Sequence, residues 1–145
     1  MENKNILFVC TGNSARSIIA ESIIKNKYHN RFNAFSAGSN PTGKVNEDVK
    51  NYLISKNFNL LNCRSKNFDE FTNNEIKIDY VITVCNNANN EICPVWPNKD
   101  EIIHWDIEDP VVELKKANNI DKKKEILDTV FNKINKKIQM FVNEK

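Results

Sequence analysis

The sequence predicts an α/β domain built on a parallel sheet, and two patterns predict it. Short apolar runs without breakers alternate with segments whose apolar residues recur every three to four positions. Strands linked through helices in this way pair in parallel and are buried on both faces. The length fits one such domain over residues 1–145, because 145 residues with 40% hydrophobic content fill a single core.

Each element carries its own signal. Residues 4–9 (Lys-Asn-Ile-Leu-Phe-Val) read as a buried strand, and Thr11-Gly12-Asn13-Ser14 as a turn. Ala15, Ile18, Ile19, Ile23 and Ile24 then keep helical spacing. Residues 33–37 suit a second strand stopped by Gly38. The loop 39–43 leads to a second helix. There Asn46 is the cap, Glu47 and Asp48 complement the positive first turn, and Val49, Leu53 and Ile54 face inward. Residues 80–84 form a β-branched strand, 86–97 a polar loop or short helix bounded by Pro94 and Pro97, and 101–105 a fourth strand. A long final helix starts at Asp121 and buries Leu127, Val130, Phe131, Ile134, Ile138 and Phe141. In parallel sheets ligands bind beyond the carboxyl ends of the strands. Cys10, Ser36, Cys85 and the segment after Trp105 all fall at such ends.

Composition narrows the function classes. There are 21 basic and 19 acidic residues, and the resulting net charge of +2 argues against nucleic acid or an anionic membrane as the main partner. No apolar run is long enough to span a bilayer, and Ile6–Cys10 is too short for a signal peptide, so a cytoplasmic protein is expected. Cysteines in that compartment stay reduced unless they work. Two scattered histidines, His29 and His104, give no zinc pattern and no metal is assigned. His29 reads as a solvated helix-end residue, Lys122–Lys124 as a solvated helix face, and Trp96 and Trp105 as packing residues.

The most informative segment is Cys10-Thr11-Gly12-Asn13-Ser14-Ala15-Arg16-Ser17, set between a buried strand and a helix start. Backbone N–H groups at a helix N-terminus converge on a small volume and attract an anion. Arg16 offers a planar two-pronged donor to the same anion. Cys10 sits in that positive field, which favours its thiolate, and Ser17 supplies a further hydrogen bond. Gly12 permits a tight loop, and Asn13 tolerates left-handed geometry. A buried Cys beside an unrelated Arg is the plainer alternative, but the preceding strand, the loop glycine and the following helix make chance a poor explanation. The expected ligand is a tetrahedral oxyanion cradled by residues Thr11 to Arg16 and attacked by the Cys10 sulfur.

Val9–Ser17 followed by Ala20-Glu21 resembles the low-molecular-weight protein tyrosine phosphatase superfamily, and especially its arsenate reductase branch. Ser36-Ala37-Gly38, Val81–Cys85, the segment 93–97 (Cys-Pro-Val-Trp-Pro), His104-Trp105 and Asp109-Pro110 extend the resemblance along nearly the whole chain. The resemblance implies a three-layer sandwich with a four-stranded parallel sheet flanked by helices. It implies a relay in which Cys10 attacks arsenate, Cys85 attacks Cys10 and releases arsenite, and Cys93 attacks Cys85. No bound cofactor is implied; an external thiol reductant is required, thioredoxin or glutaredoxin, and a monomer is expected. Asp109 is implied as general acid, with Glu108 and Asp106 as acidic neighbours.

The chain also departs from the family. Ala15 stands where many relatives have a second Cys, Ile18 where the phosphatases usually have Pro, Asp106 where Gly is common after the Trp, and Val111 where phosphatases usually have Tyr. Some reductases hold a potassium ion with residues matching Asn13, Glu21 and Ser36 plus a loop carboxylate. Here that loop offers Lys66 instead, an ammonium able to take the cation's role, so no potassium site is assigned. Cys63 has no family counterpart and reads as a packing residue. The competing function is a phosphatase acting on phosphotyrosine or a small phosphoester through a Cys10 phosphocysteine. A non-catalytic redox sensor leaves the anion loop and the general acid without a use.

Overall fold

An apolar β-branched run is buried on both sides only when it lies inside a sheet, and the first strand, β1 (Lys4–Cys10), does. The computed structural model describes residues 2–60, 63–71, 76–86 and 102–145. After β1 come helix α1 (Arg16–Lys27), strand β2 (Phe32–Gly38), helix α2 (Glu47–Ser55), a short 3-10 turn (Phe68–Phe71), strands β3 (Tyr80–Thr83) and β4 (Ile102–His104), and helices α3 (Val111–Lys116) and α4 (Ile120–Glu144). The strands pair in parallel in the order β2-β1-β3-β4. This is the four-stranded parallel sheet flanked by helices that the sequence and its resemblance implied. Chain order reverses direction at β1, and the crevice beyond its carboxyl end is where such sheets bind ligands.

The alternation of side chains along β1 sorts the core into two layers. Ile6, Phe8 and Cys10 join Ile82 and Val84 beneath α1, α2 and α4. Leu7 and Val9 pack on the opposite face with Ala37, Val81 and Phe71 of the 3-10 turn. In α4 the expected stripe is buried throughout. Ile134 and Ile138 are fully enclosed, so truncating either to Ala costs about 2–5 kcal/mol. Trp105 packs on Phe8 and Phe141, which supports its reading as a packing residue.

Several boundaries differ from the sequence reading, each for a local reason. The strands β1 and β2 run through Cys10 and Gly38, because their ladder continues to the Cys10–Gly38 pair. In α2, Ile54 is exposed and Tyr52 takes the inward place, its hydroxyl donating to Asp128 of α4. Desolvation, then the Asp128 hydrogen bond and charge, push the Tyr52 phenol far above its ordinary value. Helix α4 begins at Ile120, one residue early, because Asn119 Oδ1 accepts the Lys122 N–H at 2.8 Å. Within the lysine run, Lys123 pairs with Asp48 at 3.2 Å rather than standing free in solvent. Helix α3 has no apolar period and was not anticipated. The segment 87–101, with Cys93, Trp96 and most of the expected polar loop, lies outside the described residues.

Two close contacts press the sheet against the loop that follows β1. Asn46 caps α2 by accepting the Asp48 and Val49 N–H groups, and its own N–H donates to the Ser14 carbonyl. At the end of β2, a Cβ on Gly38 would stand 2.4 Å from the Thr11 carbonyl oxygen and 3.0 Å from the Asn13 Cβ. Both neighbours belong to the loop, so the glycine is required for the approach. Gly38→Ala is therefore expected to displace residues 11–13, to destabilise the fold by about 1–3 kcal/mol in urea denaturation, and to weaken inorganic phosphate binding by more than tenfold in calorimetry.

Candidate active site

The loop between β1 and α1 is shaped by where its carbonyls go. Cys10 O accepts from Ser39 N–H, Thr11 O from Asn40 N–H, Gly12 O from Thr42 N–H and Ser14 O from Asn46 N–H, at 2.9–3.2 Å. All four carbonyls are thus tied to the segment 39–46 on the outside. A trans peptide directs its N–H opposite to its C=O. The N–H groups of Thr11, Gly12, Asn13 and Ala15 are therefore turned to the inner side. The Asn13 N–H donates to the Cys10 sulfur at 3.2 Å, which shows the inner side to be the sulfur's side.

Asn13 rather than Gly12 carries the strained backbone. Asn13 has φ +47° and is fully buried, whereas Gly12 is not left-handed and a Cβ there would make ordinary contacts at 3.6 Å. Asparagine suits the position because its amide binds locally while the backbone turns. Its Oδ1 accepts the Lys66 N–H at 2.8 Å, and its Nδ2 donates to Ser17 Oγ at 2.7 Å and Ser36 Oγ at 3.0 Å. Ser17 Oγ lies 2.9 Å from Cys10 Sγ. With Cys10 as a thiolate, Ser17 is the donor, and two donors then meet one sulfur.

Arg16 opens α1 and is 2% exposed. Its Nη1 donates to the Ile107 carbonyl at 3.0 Å, and its Nη2 lies 3.6 Å from Asp109 Oδ2. Asp109 is 44% exposed, and its Oδ1 accepts the Val111 N–H at 3.0 Å, which holds it at the head of α3. Ile107 also donates its N–H to the Cys85 carbonyl at 3.2 Å. One buried residue thus links the arginine to Cys85. Cys85 is fully buried, lies two residues past β3 and is in no disulfide. Cys10, Thr11, Gly12, Asn13, Ser14, Ala15, Arg16, Ser17 and Asp109 thus form one site, and the Cys85 backbone is tied to it through Ile107. Cys93 falls outside the described residues.

Behind the loop the polar groups differ from expectation in one respect. Ser36 donates to Glu21 Oε1, and the ammonium 2.6 Å from Glu21 Oε2 belongs to Lys25, not Lys66. Lys66 is 7% exposed, its Nζ donates to the Arg64 carbonyl, and burial, partly offset by the charge of Glu21, lowers its pKa. Both Glu21 oxygens are occupied by donors, and the Lys66 ammonium is turned to the Arg64 carbonyl. This donor set does not suit a metal ion. The Lys25 partner was readable as an i,i+4 acid–base pair, but nothing in the sequence shows that Glu21 is buried.

The remaining residues lie off this constellation. His104 Nδ1 is 2.7 Å from Thr83 Oγ1, and His29 is exposed at the end of α1. Asp106 and Glu108 are exposed. Cys63 is partly buried with its sulfur 3.8 Å from Ser22 Oγ, and desolvation, with Glu21 nearby, pushes its thiol up. Ile107 was missed altogether, since its contribution is a backbone carbonyl and N–H that no side-chain motif records.

Comparison with known proteins agrees with this geometry. A curated arsenate reductase of Halalkalibacterium halodurans is 32% identical over 144 residues, covering 97% of this chain and 96% of its own. One from Brevibacillus brevis is 36% identical over 111 residues, covering 76% and 80%. Among solved structures, an arsenate reductase from Archaeoglobus fulgidus superposes with TM-score 0.62 at 28% identity, covering 90% of this chain and 98% of its own. A low molecular weight protein tyrosine phosphatase from T. tengcongensis shares the fold at TM-score 0.61 and 21% identity, covering 95% and 99%. Residues 5–144 match the family model for low molecular weight phosphotyrosine protein phosphatase, and the chain belongs to that family.

Proposed function

We propose that the protein reduces arsenate to arsenite through a cysteine relay. The observation that carries this reading is the Cys10 sulfur at the base of inward-turned N–H groups, with Ser17 and Arg16 beside it. Arsenate is tetrahedral and anionic, and it fits donors arranged in this way. The relatives named arsenate reductase support the choice of arsenic over phosphorus as the reacting centre.

The Cys10 thiolate bonds to As(V), and one oxygen leaves as water after taking protons from Asp109 and solvent. Arg16 neutralises charge on the remaining oxygens. The Cys85 thiolate then attacks the Cys10 sulfur. The S–As bond breaks, its electron pair stays on arsenic, and arsenite departs as As(III). Two thiols have supplied the two electrons and a Cys10–Cys85 disulfide remains. Cys93 attacks Cys85, frees Cys10 and leaves Cys85–Cys93. An external dithiol protein, thioredoxin or glutaredoxin, reduces that disulfide; a structural neighbour named as a thioredoxin-dependent reductase favours the former.

Strand register supports the first exchange. Val84 N–H bonds to the Val9 carbonyl, so Cys85 sits one residue past the level of Cys10 on the next strand. Strand spacing and rise then give a Cα separation of about 6 Å, inside the disulfide range of roughly 4.4–6.8 Å; because Val84 shares the Cys10 face, the exchange also requires the chain past β3 to turn the Cys85 sulfur toward Cys10. The relay needs reduced thiols, which agrees with a cytoplasmic location.

Cys10→Ser is expected to abolish arsenite production, and Arg16→Ala to lower it about 10²–10³-fold. Cys85→Ser and Cys93→Ser are expected to stop multiple turnovers with thioredoxin while sparing hydrolysis of p-nitrophenyl phosphate. Parent-rate arsenate turnover by either serine variant contradicts the relay and leaves the phosphatase reading in its place. Mass spectrometry after arsenate treatment is expected to find Cys85 joined to Cys93, and four free thiols contradict it. Cys63, its thiol pushed up by burial, is expected to be alkylated by iodoacetamide at pH 7 at least tenfold more slowly than Cys10.

A further inference from the structure

A chain of hydrogen bonds runs from the Cys10 sulfur to a lysine on the far side of the loop. It passes from Cys10 Sγ to Ser17 Oγ at 2.9 Å, and on to Asn13 Nδ2 at 2.7 Å. From Asn13 Nδ2 it reaches Ser36 Oγ at 3.0 Å, then Glu21 Oε1, while Glu21 Oε2 meets Lys25 Nζ at 2.6 Å. Glu21 is 1% exposed and Lys25 28%. The other groups are buried.

The chemistry of one end fixes the direction of every bond. A carboxylate only accepts, so Ser36 donates to Glu21. Ser36 oxygen is then the acceptor for the Asn13 amide, and Asn13 turns its Nδ2 to the hydroxyls. Lys66 N–H on Oδ1 is consistent with that orientation. Asn13 also donates to Ser17, whose own proton is left for the sulfur. Reversing one hydroxyl would set two donors or two acceptors face to face. A buried carboxylate is costly to leave without a partner, and the Lys25 ammonium lies 2.6 Å from its second oxygen.

We propose that Lys25 is a positioning residue for the nucleophile: by pairing with Glu21 it holds the Ser36, Asn13 and Ser17 bonds in the one direction that presents a hydroxyl proton to the Cys10 sulfur. This rests on Cys10 being the nucleophile and adds a group that touches neither substrate nor sulfur. Networks of this kind act as a unit, because each bond polarises the next.

The test is the rate of Cys10 alkylation by iodoacetamide at pH 7, followed by peptide mass spectrometry, in the parent, Lys25→Met and Lys25→Arg. Lys25→Met is expected to slow alkylation five- to twentyfold while inorganic phosphate binds within twofold of the parent by calorimetry. Lys25→Arg keeps the charge and is expected to restore the rate to within twofold. Lys25→Gln, which keeps a donor but no charge, replaces the Met variant if that does not fold, and is expected to behave like it. A parent-like rate in the uncharged variant overturns the proposal. So does an Arg variant as slow as the uncharged one, or a phosphate affinity that falls in step with alkylation, because that marks a collapsed loop. Alkylation requires no arsenate, so this outcome is separate from the loss of arsenate reduction in Cys10→Ser, which tests the function itself.

Discussion

Four outward hydrogen bonds, from the N–H groups of Ser39, Asn40, Thr42 and Asn46 to the carbonyls of Cys10, Thr11, Gly12 and Ser14, are the constraint on which the site depends. Planar peptides leave no independent choice for the N–H groups once the carbonyls are tied. A short loop that would otherwise be free to turn its dipoles either way becomes a cup of donors. The sheet supplies the scaffold, because β2 ends where β1 ends and the segment 39–46 leaves β2 beside the loop. Gly38 lets the two backbones approach within the distance these bonds need.

The interior behind the cup is costly and fully used. Asn13, Ser17, Ser36 and Glu21 are all nearly inaccessible, and unpaired burial of any of them would cost about 1–3 kcal/mol or more. Their mutual bonds remove that cost and also hold the loop in one arrangement. The ion pair of Glu21 with Lys25 is weak evidence for added stability, since taking both charges from water offsets much of their attraction. Its value lies in the geometry it imposes. The acidic side of the site is more open: Asp109 is 44% exposed on the turn before α3, held by the Val111 N–H, while Arg16 is anchored on the Ile107 carbonyl.

The fold was legible because its signals are local. Ile6 to Val9 and Val81 to Thr83 lie in apolar runs without breakers, and the stripe from Leu127 to Phe141 keeps the spacing of a core-facing helix. Cys10, Arg16 and Ser17 were legible as well, since an anion loop is written in consecutive residues. Other parts were not. The inward place of Tyr52 over Ile54 depends on a partner, Asp128, that is 76 positions away. Ile107 works through its backbone, which is the same for every residue type but proline. The Glu21–Lys25 pair is written as an i,i+4 spacing, but the burial of Glu21 beside the loop is not, because it depends on how α1 packs against β2.

The central claim is that the cup holds a tetrahedral anion against the Cys10 sulfur. Amide chemical shifts of the nitrogen-15-labelled protein, followed while inorganic phosphate is added, test it most directly. The account predicts saturable shifts at the amides of residues 11–16 and at the Arg16 guanidinium, with the amides of α4 unmoved. Shifts that are absent from the loop, or that spread over surface lysines without saturating, would contradict it.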